Sequence, residues 1–342
     1  MDPVASASGA GIDLVGLTRS LVDIDSTTGH EGEAARWLAG YLREQGFPVT
    51  EQPVDEHRFN IVVASGRPSV FLSTHFDCVP PFFPSRREGD RIYGRGACDA
   101  KGILAAQIAA ADVIRHNHGA DVGLLFVVGE ERGSDGARQA NQVADGCRFL
   151  VDGEPTDNRL GAATRGTLRL RLSASGRAAH SSFPELGESA IEKLIDALMK
   201  LRGLELPSDP VLGRTHYTVG LITGGVAPNV VPPSAEAEVM FRTVSPGTDV
   251  RRAIVDLEST VTIEHILEVS PVRLVTVDGL DTEVFPYTTD IPLLDRWGQP
   301  LLFGPGSIHV AHTAHEFIEV SELRSAVTGY VKIVQELLKR VG

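Results

Sequence analysis

Three apolar runs in the first half of the chain end in ionisable residues. SVFLSTHFD (69–77) closes on His75 and Asp77, VGLLFVVGEE (122–131) on Glu130 and Glu131, and CRFLVDGEP (147–155) on Asp152 and Glu154. In an open parallel sheet, ligands bind in the crevice beyond the carboxyl ends of the strands, so these side chains share one crevice if the runs are neighbouring strands. A His two positions before an Asp puts both side chains on one side of the strand, where the carboxylate can orient the imidazole of a metal-bound His. Taken alone, that pair also fits a strand-end histidine beside a solvated aspartate. Two adjacent glutamates after an apolar run need a partner, a metal or a proton. One glutamate binding a metal while its neighbour accepts a proton from water is a division of labour that fits, and an acidic loop at the end of the sheet is the plainer reading.

Two further segments supply the same kinds of group. The loop Gly94-Arg95-Gly96-Ala97-Cys98-Asp99-Ala100-Lys101-Gly102 runs into the apolar stretch ILAAQIAAADVI, where Asp99 reads either as a helix N-cap or as a ligand that the flanking glycines allow close to a metal. Ala311-His312-Thr313-Ala314-His315-Glu316 brings histidines late in the chain. Together His75, Asp99, Glu131, Glu154 and His312 offer two imidazoles and three carboxylates. That set suits a pair of zinc ions about 3.5–4 Å apart with one bridging carboxylate. His and carboxylate ligands also serve cobalt or manganese, so the composition of the site leaves the metal open.

Alternating strand and helix patterns must position these residues. HEGEAARWLAGYLREQ (30–45) places Ala34, Trp37, Leu38, Tyr41 and Leu42 on one helical face, with Gly46 ending the helix. The strand runs at 60–65, 69–77, 122–131 and 147–155 then predict an α/β domain with a mostly parallel sheet. The pattern changes near residue 165: TLRLRLSAS (167–175) alternates strictly, followed by a helical stretch (187–203), two strands, a helix near 249–258 and TIEHILEVS (262–270). This reads as an inserted α+β domain with an antiparallel sheet. Expected boundaries are 1–164 and 272–342 for the catalytic domain and 165–271 for the insert, with an amphipathic helix from about Val320 to Leu338.

Composition excludes several classes. The 342 residues are enough for about two domains, and 42% hydrophobic with 23% charged residues rules out a collagen, a coiled coil or a disordered tail. A net charge of −13, from 32 Lys+Arg against 45 Asp+Glu, argues against a nucleic-acid partner. No apolar run approaches the ~20 residues of a membrane helix. Met1–Ala10 lacks the basic start and apolar centre of a signal peptide, and three cysteines, Cys78, Cys98 and Cys147, follow no disulfide or structural-zinc spacing. The expected compartment is the cytoplasm.

The strings STHFDCVP, GRGACDAKG, VVGEERGSDGA, DGEPT, GRAAHSSFPELGESAI, GGVAPNVVP and FGPG followed by AHTAHEF resemble, in order and spacing and over nearly the whole chain, the co-catalytic zinc hydrolases. That family includes acetylornithine deacetylase, succinyl-diaminopimelate desuccinylase, aminoacylase, and the carboxypeptidase G and dipeptidase branches. The resemblance implies a zinc-peptidase-like catalytic domain with an inserted lid and dimerisation domain. It implies that His75 and Glu154 bind one zinc, Glu131 and His312 the other, and that Asp99 bridges them. Glu130 is then the general base, Asp77 the carboxylate orienting His75, and His180 an oxyanion stabiliser reaching the active site of the partner subunit in a homodimer. Asn229 and Arg242 resemble substrate-carboxylate contacts, and Gly306 a backbone N–H donor. His315 stands where the family more often has Asn or Asp, and Cys78 and Cys98, next to presumed site residues, are expected to be structural. The expected reaction is removal of an N-acyl group from an amino acid, acetylornithine deacetylase-like and part of amino-acid biosynthesis. Desuccinylase, dipeptidase or carboxypeptidase activity at the same metals is the alternative, and a non-catalytic binding relative is the remaining class.

Overall fold

The computed structural model describes residues 11–119, 121–144 and 146–341. The expectation for Met1–Ala10 lies outside these residues. Two compact units are present: the described residues up to Ala162 with Leu274–Glu283 and the segment from Thr289 onward, and Ala163–Arg273 with Val284–Thr288.

The first unit is built on a six-stranded sheet. Its strands, in spatial order, are Val49–Pro53, Phe59–Val63, Gly123–Val127, Val70–His75, Phe149–Asp152 and Gln299–Leu302. The last four run parallel and the first two are antiparallel, so the mostly parallel α/β sheet expected from the sequence is present. The central strands are near-continuous apolar runs because both faces are covered. Leu72, Leu124 and Val151 point into one core, which Leu14–Val22, Gly32–Glu44, Lys101–His118 and Val320–Lys339 complete with their apolar faces. The alternate residues Phe71, Leu125 and Leu150 point into a smaller core with Ala137, Ala140, Leu294 and Trp297.

Each covering helix follows from its residues. Gly32–Glu44 buries Ala34, Ala35, Leu38, Ala39 and Leu42, while Trp37 and Tyr41 stack on each other at 5.4 Å beside that stripe and stay half-buried. The expected face is therefore rotated toward the alanines, whose small side chains let the helix approach the sheet. Lys101–His118 is buried at every position from 101 to 111, as expected for a helix with neighbours on every side there, and its polar residues 116–118 are exposed. Its two buried polar residues both donate: Lys101 Nζ to the Ile24 carbonyl at 2.7 Å and Gln107 Nε2 to the Ser73 carbonyl at 2.8 Å, while Gln107 Oε1 is buried without a partner. Val320–Lys339 opens with a capping box between Glu319 and Glu322.

The second unit is an antiparallel sheet ordered His216–Gly224, Ser234–Thr243, Gly166–Ser175, Thr262–Val269. Leu168, Leu170 and Leu172 alternate inward against Leu194, Ala197 and Leu201 of the helix Ala190–Gly203 and Val250 and Ile254 of Gly247–Ile254. Strand His216–Gly224 lies at one edge, exposed along most of its length, with Leu221 and Ile222 open to solvent. Among the described residues, no helix is long and apolar enough to cross a membrane.

Candidate metal centre

Three parallel strands deliver their C-terminal ends side by side. His75 is the last residue of a fully buried strand and is paired with Val127, two residues before Gly129. Ser73 is paired with Asp152, two residues before Glu154. After Val127 the chain turns sharply at Gly129, whose φ is +78° and whose missing side chain leaves room for Asp135 Oδ1, 2.0 Å from where a Cβ would sit. Glu130 and Glu131 follow at once in a single 3₁₀ turn.

Asp77 fixes this turn to the histidine. Its Oδ1 accepts the Glu130 amide at 3.0 Å and lies 3.3 Å from His75 Nδ1, and its Oδ2 accepts the Glu131 amide at 3.2 Å and the Thr28 hydroxyl at 2.7 Å. Burial opposes the charge on Asp77, but these donors outweigh it and hold the carboxyl below its ordinary value. Behind the turn, Arg58 joins Asp135, Asp55 and the fully buried Glu31 in one ion-pair network.

Asp99 sits between two histidines. Its Oδ1 is 3.0 Å from His75 Nε2, and its Oδ2 is 3.2 Å from His312 Nε2. Glu131 Oε1 is 2.9 Å from the same His312 nitrogen. Ligand atoms of His75, Asp99 and Glu131 all lie within 4.8 Å of one another. The helix that follows is capped at Ala100 with no side-chain bond, so the carboxylate of Asp99 is not a cap. His312 takes a φ of +63°, an uncommon conformation for a residue with a side chain, which is how strained functional positions present themselves. Glu154 is buried beside this cluster. Burial raises its carboxyl well above the ordinary range, with the charges of Glu130 and Asp99 adding to the shift.

The donor set fits divalent metal ions. Among the described residues, no arginine or lysine pairs with Asp99, Glu130, Glu131 or Glu154, and the ion-pair partners of Asp99 and Glu131 are imidazoles. Burial opposes a proton on His75, yet Asp77 and Asp99 hold its pKa well above the usual imidazole value. Hydrogen bonds donated to Asp99 and Glu131 lift His312 to about 10. The carboxylates thus demand positive charge at the positions between them and the histidines, which a divalent cation supplies. Burial also raises Glu130 well above the carboxylate range, a cost offset only partly by His75.

The remaining expected residues divide between the units. Gly306, in the first, is buried at φ +81°, and a Cβ there would lie 2.6 Å from Cys98 Sγ, beside the Asp99 loop. His180, Asn229 and Arg242 lie in the second unit. A bridge between His180 and Val230 and a bond from the Ser181 amide to the Asn229 carbonyl set His180 and Asn229 close together, both exposed. Arg242 is half-buried, donates to Thr167 Oγ1 at 2.8 Å, and has no carboxylate partner among the described residues. His315 is exposed, and among the described residues no hydrogen bond or ion pair joins it to the cluster, whereas Cys78 and Cys98 are buried with their thiols toward Ser26 and the Ser307 carbonyl.

Sequence reasoning passed over several residues that build the site. Thr28 and Arg58 lie in stretches without periodic or motif signal and Glu31 opens a periodic helix that does not mark it, so their roles arise only from contacts far along the chain. Asp152 and Asp290 carry buried oxygens with no hydrogen-bond partner, and burial raises them to about 8 and about 6. Asp152 was visible as half of a carboxylate pair; nothing in the sequence joined it to Asp290.

Comparisons with known proteins show the family and the fold. The model of peptidase family M20/M25/M40 matches residues 71–336. A probable carboxypeptidase of Aspergillus clavatus is 38% identical, covering 99% of this chain and 88% of the relative. A tripeptidase from Staphylococcus aureus has the same fold, with a TM-score of 0.79 at 22% identity over 95% of this chain and 99% of that one. So does a dinuclear metal-binding peptidase of the M20 family from Bacillus subtilis, with a TM-score of 0.72 at 15% identity over 95% of this chain and 97% of that one. The chain therefore belongs to peptidase family M20/M25/M40, hydrolases that act on amide and peptide bonds.

Proposed function

We propose that this protein is a dinuclear metallohydrolase that cleaves the amide bond beside a free α-carboxylate, releasing the carboxy-terminal amino acid of a short peptide. The observation that carries the dinuclear reading is the Asp99 carboxylate, one oxygen toward His75 at 3.0 Å and the other toward His312 at 3.2 Å. In this reading His75 and Glu154 would hold one ion and Glu131 and His312 the other, with Asp99 shared between them; zinc suits the donors, and cobalt or manganese could replace it. Bound divalent ions supply Lewis acidity toward the scissile carbonyl and acidify water.

The chain's own groups supply the rest. Glu130, buried beside the ligand Glu131, accepts a proton from the attacking water and returns it to the leaving amine. Asp77 keeps that glutamate and the His75 ring in register. His180 Nδ1 accepts the Ser182 amide at 3.1 Å, which leaves the neutral ring's proton on Nε2 as a donor for the developing oxyanion. Arg242, without a carboxylate of its own, takes the substrate's carboxylate with Asn229, and the Gly306 amide assists. The exposed strand His216–Gly224 supports a homodimer in which the insert covers its edge and brings His180 to the partner's site. Free, buried cysteines support residence in the reducing cytoplasm.

The relatives named probable carboxypeptidase favour a peptide substrate. In the second reading an N-acyl amino acid of the acetylornithine or succinyl type presents the same amide and carboxylate. Rates on di- and tripeptides, N-acetyl and N-succinyl amino acids, and the C-terminally amidated form of each, decide between them. Peptides with a free carboxylate should turn over fastest, with amidation slowing each at least ~10²-fold. Equal rates on amidated and free substrates would contradict the carboxylate reading, and turnover of N-acyl amino acids alone would select the second.

A further inference from the structure

We infer that Glu316 is a positioning residue for the metal centre: its carboxylate clamps the peptide that carries Asp99 and ties it to the segment that carries His312. Glu316 is fully buried and stands four residues after His312. Its Oε1 accepts two consecutive backbone amides, Cys98 and Asp99, each at 3.1 Å. Its Oε2 meets Arg95 Nη1 at 2.6 Å, and Arg95 is itself nearly fully buried. Arg95 is held in turn by the Pro81 carbonyl at 3.3 Å and by the face of Phe83. The Gly94 amide donates to the Glu316 carbonyl at 3.1 Å, so side chain and backbone of one residue bind the same loop.

The consequence is geometric. With both amides held by one oxygen, the backbone at Asp99 has a fixed direction, and its side chain projects where each oxygen meets a different histidine. A buried carboxylate and guanidinium are costly to desolvate, and replacing such a pair by apolar groups is often neutral for folding. The charges of this pair can therefore be removed together without a large cost to folding, whereas the two amides still need an acceptor. The amides at the bridging position use the carboxylate directly, and outer partners of this kind alter metal affinity ~10–100-fold when removed. This inference rests on the dinuclear reading of the site.

Two double variants separate the clamp from the charge. In Arg95→Met/Glu316→Gln both charges leave together and the glutamine Oε1 still accepts the two amides. In Arg95→Met/Glu316→Leu the charges leave and the clamp is lost. Each metal-free protein is titrated with cobalt(II), read by calorimetry and by the visible absorption of the bound ion, with thermal unfolding of the metal-free chain as the control for folding. The glutamine variant should bind two equivalents within about threefold of wild type with an unchanged spectrum. The leucine variant, which leaves two buried amides without an acceptor, should unfold at a lower temperature than the glutamine variant while still folding, and should bind the second equivalent ~10–100-fold more weakly with an altered spectrum. Equal binding and spectra in the two variants would overturn the inference. Should either double variant fail to fold, Glu316→Asp gives the same decision, because it keeps the charge beside Arg95 and withdraws the carboxylate from the amides: weaker second-metal binding supports the clamp, and wild-type binding overturns it. Wild-type protein that takes up no second equivalent would instead bring down the dinuclear reading itself.

Discussion

Asp77→Asn removes one charge and turns one oxygen into a donor at a fully buried position that accepts on both oxygens. The asparagine can keep its oxygen toward the Glu130 amide and His75 Nδ1, which places its NH₂ against the Glu131 amide and the Thr28 hydroxyl. The hydroxyl can rotate to accept, but the Glu131 amide cannot, so one buried N–H loses its partner. A hydrogen bond to a charged group contributes about 1.5–3 kcal/mol, and the loss of the negative charge beside His75 adds to it. We expect the metal-free variant to be about 2–4 kcal/mol less stable in urea unfolding at pH 7, and its metal affinity to fall ~10–100-fold through the His75 ring and the displaced Glu131. Thr28→Val, which removes a single hydroxyl, should cost only about 1 kcal/mol. The Asp77 carboxyl is held below its ordinary 3.8, so its contribution is complete above that pH and is lost as pH falls through the folded value; the gap between wild type and variant should close in the same range. An Asp77→Asn protein with unfolding free energy and metal affinity equal to wild type at pH 7 would refute the role assigned to Asp77.

Glu130→Gln should leave metal content intact and lower turnover at least ~10²-fold, checked by metal analysis beside steady-state rates; unchanged turnover would remove Glu130 from the proton transfers. His312→Ala should lose the second metal and roughly 10²-fold or more of the activity, whereas His315→Ala, at an exposed position with no hydrogen bond or ion pair to the cluster among the described residues, should stay within about twofold of wild type. Burial pushes the Cys147 thiol from 9.0 up to about 11. The unfolded chain thus releases this proton first as pH rises, and stability falls between pH 9 and 11 by up to about 2–3 kcal/mol from this group alone. Urea unfolding across that range should show a shallower decline for Cys147→Ala, and parallel curves for the two proteins would contradict the burial argument.

What the sequence made legible was carried by periodicity and by runs that end abruptly. Leu72 and Phe71, or Val151 and Leu150, feed opposite cores, and so the strands that carry them read as continuous apolar stretches closing on His75 and Asp152. Those endings put the ligand candidates at the carboxyl edge of the sheet, where His75, Asp99, Glu131 and His312 come together. The alternation of Leu168, Leu170 and Leu172 likewise announced the antiparallel insert. The missing parts are those fixed by long-range partners. Trp37 and Tyr41 match the helical period of the buried face, but their size sets them beside the alanine stripe. Arg95 and Glu316 are separated by 221 residues, and no local pattern marks a buried carboxylate that holds two amides. Thr28, Glu31 and Arg58 are invisible for the same reason.

The central claim is tested most directly by titrating metal-depleted protein with zinc while following hydrolysis of a short peptide with a free carboxy-terminus. The account predicts that two equivalents bind, that activity returns as the second is filled, and that Asp99→Asn binds the pair far more weakly. Full activity at one equivalent, or in protein holding no metal, would contradict it.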